Sequence, residues 1–419
     1  MSGARSEKMI MPPKSPGKFA VAFVFVTVFL DMVGIGLIWP VLPRLIEDVS
    51  GSDLAGASAW NGWLFVAYGL TQFLFGPTIG NLSDAYGRRP VLLLSVFGLA
   101  IDYVLMAFAP TLIWLFIGRL IAGVCGASYT TANAYLADIT APDERAKVFG
   151  MMGAAFGLGF IVGPAIGGLL GEFGPRVPFF VAAGLSIANF IYGWIILPET
   201  LAQENRRPFS LTRSNPVGAL RVFASYKGVV PLGIVMFGYF AATSIYPAIW
   251  SFWGIARFGW TEATIGLTLA AFGLVMAITQ GFLTGPTVKK LGEWNTVILA
   301  LVTSIIAAVG YGVAPGISIV ILLFLVHAPE GFAQPALTAL MSREAPENAQ
   351  GELQGGIASL QAIASLVGTF FFAQAFGWFM QPNPIIVSPS AGFFICAALL
   401  VATFAYFLTL KEKKPVTRP

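Results

Sequence analysis

Apolar runs of about twenty residues recur along the chain, separated by short charged or Gly/Pro-rich breaks. At about 1.5 Å of rise per residue, a helix of that length crosses a hydrocarbon core about 30 Å thick. The pattern predicts twelve membrane-spanning helices, over residues 19–42, 60–82, 91–109, 111–136, 146–170, 177–197, 229–252, 264–286, 295–314, 316–340, 351–377 and 389–410. The one long polar stretch among them, residues 198–228, divides the chain six plus six and carries Arg206, Arg207, Arg213, Arg221 and Lys227. The expected architecture is an all-α membrane protein: a tail (1–18), a six-helix bundle (19–197), a linker (198–228), a second six-helix bundle (229–410) and a tail (411–419).

Composition excludes a cytosolic enzyme. The chain is 57% hydrophobic and 11% charged, with a mean hydropathy of +0.79, whereas about a quarter of a soluble globular chain is charged. Lipid is therefore the main solvent. The net charge of +4 reports orientation and not a nucleic-acid partner. Of the 24 Lys and Arg, 20 fall in the tails and even-numbered loops, three (Arg44, Arg176, Arg257) fall in odd-numbered loops, and Arg119 lies inside a helix. The positive-inside rule then puts both termini in the cytoplasm, in an inner or plasma membrane. Arg5, Lys8, Lys14 and Lys18 precede an apolar run that is too long for a signal h-region and lacks a small-residue cleavage site, so this run reads as a retained first helix. Cys125 and Cys396 lie within apolar runs and act as small buried hydrophobes, implying no disulfide framework.

The two halves repeat weakly: GNLSDAYGRRP from Gly80 follows the second helix, and GPTVKKLGE from Gly285 follows the eighth. Two six-helix halves about a central pathway are the layout of a secondary transporter; the other classes are a channel and a polytopic enzyme. No Gly-rich loop ends in Lys-Ser or Lys-Thr, which argues against ATP-driven pumping. A single histidine and few intramembrane acids argue against a metalloenzyme, so no metal and no cofactor is expected.

Asp31, Asp102, Arg119 and Glu330 sit inside apolar runs. Exposing all four to lipid would cost about 10–14 kcal/mol, so they must face protein or water. Asp102 and Arg119 lie at nearly the same depth in the antiparallel third and fourth helices and can pair. Asp31 is near the midplane, with no obvious partner unless Arg119 serves it. Such a carboxyl group either exchanges a proton or belongs to a static ion pair. His327, Glu330 and Gln334 fall at i, i+3 and i+7 and are expected on one face of the tenth helix, loosened by Pro329 and Pro335. This is either a coupling or substrate site or a satisfied polar cluster. Tyr239, Thr243, Tyr246 and Trp250 form a stripe in the seventh helix that can stack a flat amphipathic ligand or simply pack. Gln72, Asn133 and Gln361 complete the polar candidates for substrate binding. In the loop from Gly80, Asp84 is expected to cap the eleventh helix near Gly351, and Arg88 to reach Asp138, contacts that would hold the cytoplasmic side closed.

GNLSDAYGRRPVLL resembles the hallmark loop of the major facilitator superfamily. IGRLIAGVCGA around Arg119 and GFIVGPAIGG from Gly159 resemble signatures of its twelve-helix drug:proton antiporter branch. The first helix (FLDMVGIGLIWPVLP) and the connection AYLADITAPDERAKVFG are similar to the tetracycline-resistance efflux proteins. The resemblance implies the major facilitator fold in two six-helix bundles, a chain that is not an enzyme, and a monomer in lipid exchanging a small amphipathic compound for protons. It implies gating roles for Asp84, Gly87, Arg88, Arg89 and Asp138, an antiporter bend at Gly163 and Pro164, and proton coupling by Asp31, Asp102 and Arg119. Tetracycline antiporters look to have an acid in the ninth helix. Residues 295–314 contain none, with Ala307 at the matching place, so Glu330 is expected to take over that role. A proton-coupled transporter of a specific metabolite and a lipid flippase are the alternatives on the same fold.

Overall fold

A computed structural model of the chain describes residues 18–126, 128–141, 143–210, 214–215, 217–226, 228–381 and 387–410. The two tails assigned from sequence, but for Lys18, and Arg213 and Lys227 of the linker lie outside the described residues. Every regular element described is helical.

The first crossing, Lys18–Ile38, bends by 55° into a short helix, Leu42–Ser50, because Pro40 and Pro43 interrupt its ladder. The second, Leu54–Tyr86, begins earlier than its apolar run does: Asp53 caps it by accepting a bond from the Gly56 amide at 2.9 Å. Then come Arg88–Phe108, Leu112–Gly126 continued by Ser128–Ile139, Arg145–Gly171 and Val177–Ile196. After the linker, the seventh crossing is Val229–Thr243 and Ile245–Phe258, jointed at Ser244. The eighth starts as Glu262–Ile278, passes a π-turn at Thr279–Leu283 and ends at Gly292, whose φ of 77° turns the chain into the ninth, which runs to Val313. The tenth comprises Ile317–His327, a 3₁₀ segment Ala328–Phe332 and Ala333–Arg343. The eleventh and twelfth are Gln350–Phe379 and Ala391–Thr409.

Among the described residues, nine helices are long and apolar enough to cross a membrane, ten with the bent first pair. The segment Glu262–Val313 counts once there but holds two crossings, and Leu54–Tyr86, with Asn61, Gln72 and Asn81, is long enough but less apolar. Twelve crossings result.

Crossings one and five, two and four, and three and six pack within the first half; seven packs with eleven and twelve, and nine with twelve, in the second. The halves meet through two seams, crossing two on eleven and crossing five on eight. Both seams are tight on the side opposite the linker. A methyl group on Gly62 would lie 3.0 Å from the Ala373 Cβ, and one on Gly377 would lie 2.8 Å from the Ala55 carbonyl. Gly168 and Gly266 bring the backbones of crossings five and eight so close that a side-chain carbon on either would overlap a carbonyl oxygen of the other helix. Towards the linker the halves part, and added carbons at Gly76 and Gly281 would meet open space.

Candidate functional site

Asp31, Asp102 and Arg119 line a cavity of about 210 Å³ with Trp39, Asn61 and Tyr68. The carboxyl groups are thus sheltered inside the first bundle and do not face lipid. Arg119 Nη2 donates to Asp102 Oδ2 at 2.5 Å. Asp102 is wholly buried, and its Oδ1 has no hydrogen-bond partner. Arg119 therefore serves Asp102 and not Asp31. Its guanidinium lies 5.9 Å from the centroid of the Tyr68 ring, within cation–π range. Asp31 forms no hydrogen bond or ion pair among the described residues and presents its carboxyl group to the cavity.

A second cavity of about 210 Å³ lies between the bundles and is walled by aromatic rings, among them Tyr246, Trp250, Phe272, Tyr311 and Phe324 of the second half. Glu330 and His327 form part of its lining. Glu330 belongs to a bonded polar cluster: its carboxylate is bonded to His327 Nε2, and the Tyr239 hydroxyl donates to Glu330 Oε1 at 3.3 Å. His327 Nδ1 is 3.2 Å from the Tyr311 hydroxyl, which extends the chain of polar groups. Tyr246 and Trp250 line the cavity with Thr243, whereas Tyr239, on the far side of the Ser244 joint, is taken up by Glu330 and lines none of the cavities described here. Trp250 Nε1 donates to Thr268 Oγ1 at 3.0 Å, which fixes its ring.

Gln334 does not share the face of His327 and Glu330. The 3₁₀ segment Ala328–Phe332 advances the chain by about three residues per turn instead of 3.6. That slip turns Gln334 into a wider opening of about 720 Å³ lined also by Gln280, Gln354 and Gln361. Gln72 lines another opening, between crossings two and eleven, and donates to the Tyr68 hydroxyl at 3.1 Å. Asn133 is half-buried on Ser128–Ile139 and lines none of these spaces.

In the loop between crossings two and three, Gly87 has a φ of 109°, a conformation that favours glycine. Arg88 joins three partners: Asp84 Oδ1 at 2.5 Å, Asp138 Oδ2 at 3.2 Å and Ser83 Oγ at 2.6 Å. Asp84 thus bonds within its own loop and does not cap the eleventh crossing, whose N-cap, Ala349, has no side-chain bond. The separation of the halves on this side accounts for the difference. A carboxylate that sequence reasoning passed over, Glu199 at the end of the sixth crossing, accepts the amides of Arg88 and Arg89 at 2.9 and 3.2 Å and caps the third crossing instead. Arg89 donates to the Trp194 carbonyl at 2.8 Å. Asn81 Nδ2 donates to the carbonyl of Ser210 at 2.5 Å, tying the linker to the loop. Gly163 and Pro164 press the fifth crossing onto the first: a methyl group on Gly36 would lie 2.6 Å from Pro164 Cδ.

A sequence model of the Major Facilitator Superfamily matches residues 24–369. The chain belongs to the major facilitator superfamily. It is a multi-pass membrane transporter and not an enzyme. It is 40% identical to the tetracycline resistance protein, class C, of Escherichia coli, over 83% of this chain and 87% of that one. It is 38% identical to the class G protein of Vibrio anguillarum, over 91% and 97% of the two chains. Its fold matches a crystal structure of the nucleoside transporter NupG with a TM-score of 0.77 at 15% identity, covering 93% of this chain and 98% of that one.

Within this major facilitator fold, Trp39 is a second residue that sequence reasoning missed. It lines the Asp31 cavity and the Glu330 cavity alike, and its ring meets Phe160 edge-on at 5.2 Å.

Proposed function

We propose that the chain exports a small amphipathic compound, tetracyclines being the first candidates from its relatives, in exchange for protons. Asp31 carries this reading: among the described residues it is a carboxyl group without a protein partner, lining a cavity inside the first of two bundles that are closed against each other on one side and parted on the other. A buried carboxyl group is costly unless neutralised, and a proton or a cationic ligand can do so in turn. Binding of either shifts the balance between the two openings only by its differential affinity for them. Residues 19–197 and 229–410 act as the two rocking units, with residues 198–228 between them. The linker side is assigned to the cytoplasm by its Lys and Arg excess, in an inner or plasma membrane.

On this proposal the Asp102–Arg119 pair and the Glu330–His327–Tyr239 network take part in coupling, and the Arg88 cluster with Asp84 and Asp138 re-forms across the halves when the cytoplasmic side closes. Drug-susceptibility testing in a host lacking its own pumps checks the reading. The intact chain should raise resistance to at least one tetracycline or cationic amphipathic drug, and Asp31→Asn should abolish the gain. No protection across the panel would overturn it.

A further inference from the structure

On the side opposite the linker, one carboxylate is closed into the seam between the halves. Glu262, the first residue of the eighth crossing, is only 2% exposed. The fifth crossing of the other half presses on it: a side-chain carbon on Gly171 would lie 2.9 Å from the Glu262 Cβ, and one on Gly168 would overlap the Glu262 carbonyl. Across the seam, Arg44 Nε on the short helix Leu42–Ser50 stands 2.7 Å from Glu262 Oε1, a charge contact without the alignment of a hydrogen bond. The two ends of this contact differ. The Arg44 side chain is 53% exposed, whereas that of Glu262 is 3% exposed.

Other charges on this face are Glu47, Asp48 and Asp53 beside Arg44, Glu172 and Arg176 after the fifth crossing, and Arg257 before Glu262. Glu172 accepts the Ala263 amide at 3.3 Å. Arg176 donates to the carbonyls of Ala107 and Ala109, and the Arg257 guanidinium lies 6.0 Å from the centroid of the Phe258 ring. Among the described residues, Arg44 is therefore the cation that meets Glu262.

A carboxylate shut away from water is costly unless a cation stands beside it, and removing that cation strands the charge. When the halves part on this side, water reaches Glu262 and the cation is no longer needed. The Glu262 charge thus favours opening, and Arg44, which keeps much of its own water, cancels that push only while the seam is shut. We propose that Arg44 and Glu262 form an outer gate in which the buried carboxylate drives the halves apart and Arg44 is the latch that holds them together. This goes beyond the export reading and needs only that the halves separate here. Arg44 is a positioning residue: it acts through Glu262 and touches no substrate.

The test is the distance between spin labels at Thr111 and Ser318, exposed on opposite halves, in the full chain with Cys125 and Cys396 replaced, in lipid nanodiscs at neutral pH without substrate or gradient. The unaltered pair should give mainly the short distance. Arg44→Ala should raise the ratio of long to short distances at least about tenfold, because Glu262 is left buried without a cation. Arg44→Lys, which keeps the charge, should stay short. Arg44→Ala combined with Glu262→Gln should also return to the short distance, because a neutral amide can remain in the seam. A short distance in Arg44→Ala would overturn the proposal. So would a combined variant as open as Arg44→Ala, which would show that Arg44 acts by packing and not by charge. Failure here leaves the export reading standing, since no substrate is present, and failed export leaves the gate standing if the distances follow this pattern.

Discussion

Arg119 and Asp102 meet across the third and fourth crossings at 2.5 Å, with Asp102 wholly buried and one of its oxygens left without a partner. Removing one member of such a pair strands the other's charge, which costs about 3–5 kcal/mol, more than the pair itself contributes. Arg119→Gln should therefore lower stability by about that amount, and Asp102→Asn/Arg119→Gln should recover most of it. Thermal unfolding in detergent checks this through the double-mutant cycle; additive losses would show that the two side chains do not depend on each other.

The Gly168–Gly266 contact sets how closely the halves seat on the side opposite the linker. Gly266→Val places a branched side chain against the Pro164 carbonyl and should disfavour the arrangement described. Spin labels at Asp48 and Arg257, exposed on opposite halves, should report a longer distance in the variant than in wild type. Gly281→Val, in open space, should leave that distance unchanged.

Glu330 carries three contacts, to His327, to Tyr239 and to the lining of the aromatic cavity. Glu330→Gln keeps the shape but cannot carry charge, so proton-driven uptake into inverted vesicles should fall at least about tenfold. Tyr239→Phe removes a single bond to the same carboxylate and should cost less, about two- to fivefold. Full uptake by Glu330→Gln would remove this residue from coupling.

The crossings were legible because a lipid core imposes length and apolarity on every span, and the Gly80 loop and the fourth- and fifth-crossing motifs carried the family. Depth arithmetic reached the Asp102–Arg119 pair because both helices are regular between these residues and the membrane edge. It could not place Gln334, because the 3₁₀ segment after His327 changes the helical phase. Nor could it find Glu199, whose capping of the third crossing depends on how the sixth ends beside it. Asp84 was assigned a partner on the other half, from which it is parted on the linker side, and its carboxylate bonds Arg88 instead. Trp39 was passed over because a single aromatic residue among apolar neighbours carries no pattern; only the meeting of two cavities at its ring marks it.

The central claim is that Asp31 is shared in turn by proton and substrate. Inverted vesicles with an acidified lumen and a pH-sensitive dye inside test it directly. Adding a tetracycline that the intact chain exports should release luminal protons with wild type and should release none with Asp31→Asn, at matched protein levels. Equal proton release by both would contradict the account.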